Sequence, residues 1–171
     1  MKKLSLGILL LQTVQFGHAI DPQKTASFKV QATIENGCSL TSPEQTLDFG
    51  RQPAISQASV SGQILNTAQT WNIRCTQSLP IRVTLNGGDS FSNNLRRMKL
   101  VGANEFVNYR LYQGADLKEE YLSGNSYALT PATSSNNVIN FGIYGVANLN
   151  NNNQPRSAGL YKDTVAITIT W

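Results

Sequence analysis

Two stretches of strict period-two alternation, one near each end of the chain, constrain its fold more than any other feature. Phe28, Val30, Ala32 and Ile34 are every second residue of one stretch. Val165, Ile167, Ile169 and Trp171 are every second residue of another, and the sequence ends there. Side chains two apart on a strand share a face, so each set forms one apolar face suited to burial in a sheet. A chain built this way can use its first strand at home or pass it to a neighbour.

Upstream of the first set, Lys2 and Lys3 precede an apolar run from Leu4 to Val14, and Gly17-His18-Ala19 supplies small residues for cleavage. This pattern predicts a signal peptide over residues 1–19. The run is too short to cross a bilayer as a mature helix. Cleavage removes His18, the sole histidine, together with two of the 14 basic residues. Twelve then face 10 acidic ones, a net charge of +2. About 150 residues remain, one domain with a sizeable core.

Cys38 and Cys75 both lie in the mature part. In an oxidising compartment an even count reads as one disulfide, worth roughly 4 kcal/mol for a loop of this length. A metal pair is the competing reading, but two thiols without histidine or a nearby third cysteine do not complete a tetrahedral zinc site.

Between the ends, short apolar-alternating runs are separated by Gly, Asn, Ser and Pro. Strands are expected at Thr46 to Phe49, Gln69 to Thr76, Ile81 to Leu85, Leu95 to Val101, Phe106 to Gln113, Val138 to Ala147 and Leu160 to Trp171. Leu95 to Val101 and Phe106 to Gln113 read as a hairpin around Gly102-Ala103-Asn104. Helical periodicity is missing, and charged residues are only 14 % of the chain, which suits an exposed sheet surface. The expectation is an all-β sandwich. Asn148 to Pro155 reads as a solvated loop.

The inventory is poor in chemistry. Without a mature histidine a Ser-His or Cys-His pair is excluded. Asp48, Asp89, Asp116 and Asp163 could serve a paired-carboxylate hydrolase, but nothing in the sequence brings two of them together. No catalytic, metal or cofactor site is assigned, and the chain is read as no enzyme. The basic cluster Arg96, Arg97 and Lys99 lacks the larger field that nucleic acid requires. It reads as a solvated strand, with contact to anionic surfaces left open. Tyr109, Tyr112, Tyr121 and Tyr127 could stack on sugar, although such tyrosines usually pack between strands.

Several fragments occur together in an order that identifies a family. They are Asn36-Gly37-Cys38, Leu47-Asp48-Phe49-Gly50, Cys75, Tyr109-Arg110-Leu111-Tyr112, Phe141-Gly142-Ile143-Tyr144-Gly145 and Gly159-Leu160-Tyr161-Lys162-Asp163-Thr164, followed by a strand ending on an aromatic. With them the mature chain resembles the spore coat protein U domain family, which includes subunits of archaic chaperone–usher pili. The resemblance implies an incomplete immunoglobulin-like sandwich completed by a donated strand. It implies a donor segment within residues 20–35, with Phe28, Val30, Ala32 and Ile34 inserted into a neighbour. A domain over 36–171 would carry the acceptor groove, one wall of it formed by Val165, Ile167, Ile169 and Trp171, and the family disulfide maps onto Cys38 and Cys75. The partners implied are a periplasmic chaperone, an outer-membrane usher and neighbouring pilin subunits, with no nucleic acid and no small-molecule substrate. The destination is the cell surface, where such fibres support attachment and biofilm formation. Size suits a shaft or minor subunit, since a tip adhesin would need a second domain. The rivals are a self-complemented secreted coat protein and, further off, a carbohydrate-binding module.

Overall fold

The computed structural model of the chain describes residues 27–41, 44–65, 72–76, 78–134 and 138–171. Residues 1–19, read above as a signal peptide, lie outside them. The chain divides into two units, Met1–Ile34 and Glu35–Trp171. The first is described over 27–34, where no strand forms and Phe28, Val30 and Ile34 are 87, 86 and 95 % exposed. The alternation of this segment is therefore present without a strand. Extended backbone is held in place by a ladder partner, and a segment without one does not stay in strand geometry.

Among the described residues the second unit holds ten strands and no helix. They are β1 (Cys38–Thr41), β2 (Ser59–Leu65), β3 (Asn72–Cys75), β4 (Ile81–Leu85), β5 (Arg96–Leu100), β6 (Phe106–Tyr112), β7 (Ser126–Leu129), β8 (Gly142–Asn148), β9 (Tyr161–Lys162) and β10 (Ile167–Thr170). A five-stranded sheet runs β2-β8-β6-β5-β9, a three-stranded one β10-β4-β7, and β1 pairs with β3. Every ladder is antiparallel. The core is built from alternating positions, as with Ile81, Val83 and Leu85 of β4, exposed by 2 % or less. β5 and β6 form the expected hairpin, with Arg97 opposite Asn108. β1 and β3 place Cys38 directly opposite Cys75, and the two are joined in a disulfide.

Four features depart from the sequence reading. Thr46 to Phe49 forms no strand, although Leu47 and Phe49 pack against the core. β2 carries glycine at its centre and small polar residues on one face, which masked its strand character, and β7 is likewise unanticipated. The stretch from Leu160 to Trp171 is two strands in different sheets, with β9 on β5 and β10 on β4. At the break, the Asp163 carboxylate accepts hydrogen bonds from the backbone N–H of Asp89 (2.8 Å) and Ser90 (3.3 Å) and from the Tyr109 hydroxyl (2.6 Å). Gly88 makes room for it: a Cβ there would lie 2.1 Å from Asp163 Oδ2. Asn86 then picks up the chain, its side-chain oxygen accepting from Ala166 N–H at 2.9 Å. These groups turn the strand from one sheet into the other.

Arg96 is the fourth departure. It is not solvated but 3 % exposed, donating to the carbonyls of Asn86 and Tyr121. Desolvation pulls its pKa down, with neighbouring tyrosines and acids opposing. Buried guanidinium groups persist where their donors are satisfied, as here.

The disulfide closes a separation of 37 residues. Replacing Cys38 and Cys75 together by Ser is expected to lower the stability of the domain by roughly 4 kcal/mol. A urea midpoint equal to that of the unaltered protein would show the bridge to be dispensable.

Candidate functional site: an open groove beside the last strand

β10 has β4 on one side and, among the described residues, no strand on the other. Along that free edge lies an open groove of about 1030 Å³. Its floor is the inner face of the five-stranded sheet, with Val60 and Ile64 from β2, Val107 and Leu111 from β6, and Ile143 and Ala147 from β8. One wall is the segment 45–54. The other is the chain from Arg156 through Asp163 to Val165 and Ile167. An apolar cleft bounded by an unpaired strand edge presents both things a strand needs, backbone hydrogen-bonding groups and pockets for alternate side chains.

A glycine pair shapes the first wall. Gly62 and Gly145 are register partners in β2 and β8. A Cβ on Gly62 would sit 2.7 Å from the Asp48 carbonyl oxygen, and one on Gly145 2.9 Å from Leu47 and Phe49 side-chain atoms. The glycines let residues 47–49 lie directly on the sheet. Gly145, inside a run read as strand, is the signal that could have revealed this contact, because glycine within a strand often marks a close backbone approach.

The second wall is pinned by polar contacts. Arg156 donates to the carbonyls of Phe106, Leu149 and Asn150 at 2.9 to 3.1 Å. Glu105 accepts from the Tyr161 hydroxyl at 2.7 Å and from Ser157 N–H at 3.2 Å. These bonds, Tyr161 first and Ser157 next, hold its carboxyl below the usual range. Burial, followed by the same Glu105 bond, pushes Tyr161 up to about 12.

Of the four residues expected to form an acceptor wall, Val165 and Ile167 line the groove. Ile169 continues the same half-buried face of β10, and Trp171 is 60 % exposed beside Gly37. Phe28, Val30, Ala32 and Ile34 are all exposed. Of the four acids considered for hydrolysis, Asp48 accepts from Gly50 N–H, Asp116 pairs with Lys118 at 3.4 Å, and Asp163 accepts from the backbone N–H of Asp89 and Ser90. Tyr109 and Tyr121, two of the sugar-stacking candidates, are core residues at 6 and 2 % exposure. Tyr127 spends its hydroxyl on Glu120 O and Leu122 N–H.

A family model described as the Spore Coat Protein U domain matches residues 24–168. Among solved structures, the chain is similar to one from the CsuC–CsuE chaperone–tip adhesion subunit pre-assembly complex of the archaic chaperone–usher Csu pili of Acinetobacter baumannii. The identity is 20 % and the TM-score 0.50, over 81 % of this chain and 41 % of that one. A chaperone–tip adhesin complex of CFA/I fimbriae matches at 17 % identity and TM-score 0.48, over 78 and 41 %. The chain thus spans about two-fifths of the length of these structures. No curated protein sequence matches it. The fold is an all-β, immunoglobulin-like sandwich in which, among the described residues, β10 has a ladder partner on one side only.

Two measurements test the groove. Gly62→Ala is expected to lift residues 47–49 off the sheet, because the neighbour in its way is backbone. Amide exchange at Leu47 to Phe49 should rise while that of β4 stays slow, and an unchanged pattern would sink this account. For Glu105, a depressed carboxyl contributes stability above its ordinary pKa that fades as pH falls through the folded value. The melting gap between the native chain and Glu105→Gln should therefore be widest near neutral pH and close on acidification. A gap independent of pH would show that the carboxylate form is not what matters.

Proposed function

The chain belongs to the Spore Coat Protein U domain family, and on that premise we propose that it is an exported structural subunit of a chaperone–usher surface pilus, polymerising by strand donation. The observation that carries this reading is the open apolar groove along the free edge of β10. The donor is the segment 20–35 of a neighbouring copy, and the acceptor is the domain 36–171. Phe28, Val30, Ala32 and Ile34 enter the groove, and Val165, Ile167, Ile169 and Trp171 supply the wall they meet. The exposure of Phe28, Val30 and Ile34 supports it, since large apolar side chains at strand spacing are costly to leave in water.

Burying four such side chains contributes on the order of 5–9 kcal/mol, with Ala32 the smallest share. Ordering the donor offsets part of that gain. A strand lying between β10 and residues 46–49 would satisfy ladder groups on both its sides and draw Thr46 to Phe49 into a strand, the state its sequence favours. Until a neighbour arrives, a periplasmic chaperone covers the groove, and an outer-membrane usher passes the subunit to the surface. Attachment and biofilm formation are the outputs of the fibre. The role is structural and non-enzymatic.

Val30→Asp or Ile34→Asp should leave the subunit folded with its chaperone but exclude it from the fibre, because an unpaired buried charge is costly. Sheared surface material run without boiling should show a heat-sensitive ladder in the native strain and none from the variant. Normal incorporation of the variants would defeat the donor assignment, and a monomer band before and after boiling would point to a self-complemented coat protein.

A further inference from the structure

The outer face of the five-stranded sheet, which meets the groove at the wall segment carrying Leu160 and Lys162, has a concentration of charge. Lys99 of β5 stands directly opposite Lys162 of the edge strand β9 on one side and Phe106 of β6 on the other. Opposed residues of an antiparallel ladder share a face, and like charges placed so repel. Arg97 lies on the same face, its guanidinium 4.2 Å from the Phe106 ring centroid. The Lys99 ammonium is 6.0 Å from that ring. Among the described residues none of these three cations has a salt bridge, whereas Arg110 is paired with Glu120. Glu105, the adjacent acid, is engaged by Tyr161, Ser157 and Arg156. Arg97 also donates to the Ser90 carbonyl at 2.8 Å. Three cations on one face without an acid partner still stand out in a chain whose mature part carries a net charge of only +2.

The contacts run one step further along the edge, where Val101 N–H donates to Leu160 O at 2.9 Å. Val101 directly follows β5 and Leu160 directly precedes β9, so continuing the alternation brings them to the side of Lys99 and Lys162, where Leu160 also borders the groove. Both are exposed, at 55 and 67 %. The edge therefore presents cations beside a pair of free aliphatic side chains. A soluble polyanion would use the cations and leave the aliphatic pair in water. Nucleic acid would look for a free aromatic face, and that of Phe106 already carries Arg97. An anionic lipid surface uses both features, since cations meet headgroup phosphates while short aliphatic groups enter the acyl boundary.

We propose that the β5–β9 edge docks on membrane surfaces rich in anionic phospholipid, with Arg97, Lys99 and Lys162 on the headgroups and Val101 and Leu160 inserted between them. The test is flotation of the full exported chain with phosphatidylcholine vesicles, with and without phosphatidylglycerol. Retention should require phosphatidylglycerol and fall as salt rises. Each cation near such a surface is worth about fivefold in partition, so Lys99→Gln with Lys162→Gln should lose roughly thirtyfold. Both side chains are exposed, so the fold should survive, and Lys118→Gln, at a cation paired with Asp116, should leave partition unchanged. Leu160→Ser should weaken vesicle binding but not retention on dextran sulfate. Equal binding to uncharged vesicles, or no loss in the double variant, would overturn the proposal and point to the open groove as the sticky surface. A Leu160→Ser protein that still floats normally, with dextran sulfate competing fully, would overturn it in favour of a soluble polyanion.

Discussion

A strand edge with a ladder partner on one side only is the constraint around which this domain is arranged. β10 pairs with β4 and leaves its other edge to the groove. Unpaired backbone groups beside an apolar floor are unfavourable for an isolated chain, because water satisfies the first only by wetting the second. Elements bordering the groove are accordingly fixed by other means. Residues 47–49 lie against the glycine pair of β2 and β8 rather than in a ladder. The opposite wall is held by Arg156, Glu105 and Tyr161 through side-chain bonds.

The same logic explains the crossing between β9 and β10. A strand leaving one sheet for another exposes several backbone amides at the corner, and each needs an acceptor. Asp163 and Asn86 supply acceptors reciprocally, the first to the loop after β4 and the second to the chain before β10. The Tyr109 hydroxyl completes the corner, its pKa pushed up by burial and then by the Asp163 bond. This corner sets the course of Val165 and Ile167, and so the position of the groove's second wall.

Charge is distributed with a comparable division of labour. Arg96 and Arg97 are neighbours in sequence, yet one is sealed under the sheet and the other lies over an aromatic ring outside it. Alternation alone separates them, because consecutive strand residues point to opposite faces. Lys162, more than sixty residues away, joins Arg97 and Lys99 through the β5–β9 ladder.

Much of the fold was legible before any coordinates. Period-two alternation announced β4, the β5–β6 hairpin and the half-buried face of β10, since local backbone geometry alone dictates which side chains share a face. The order of short fragments around Cys38 and Cys75 and through Tyr161 to Asp163 identified the family. Where the sequence ran out, pairing was at issue. Alternation in Phe28 to Ile34 and in Thr46 to Phe49 reads as strand, yet neither forms one in this chain, because a strand exists only with a partner and sequence periodicity does not name it. Nor did it show that one long alternating stretch would divide between two sheets, or that Gly62 and Gly145 would meet across a ladder. Those depend on contacts between distant residues, which tertiary structure alone brings together.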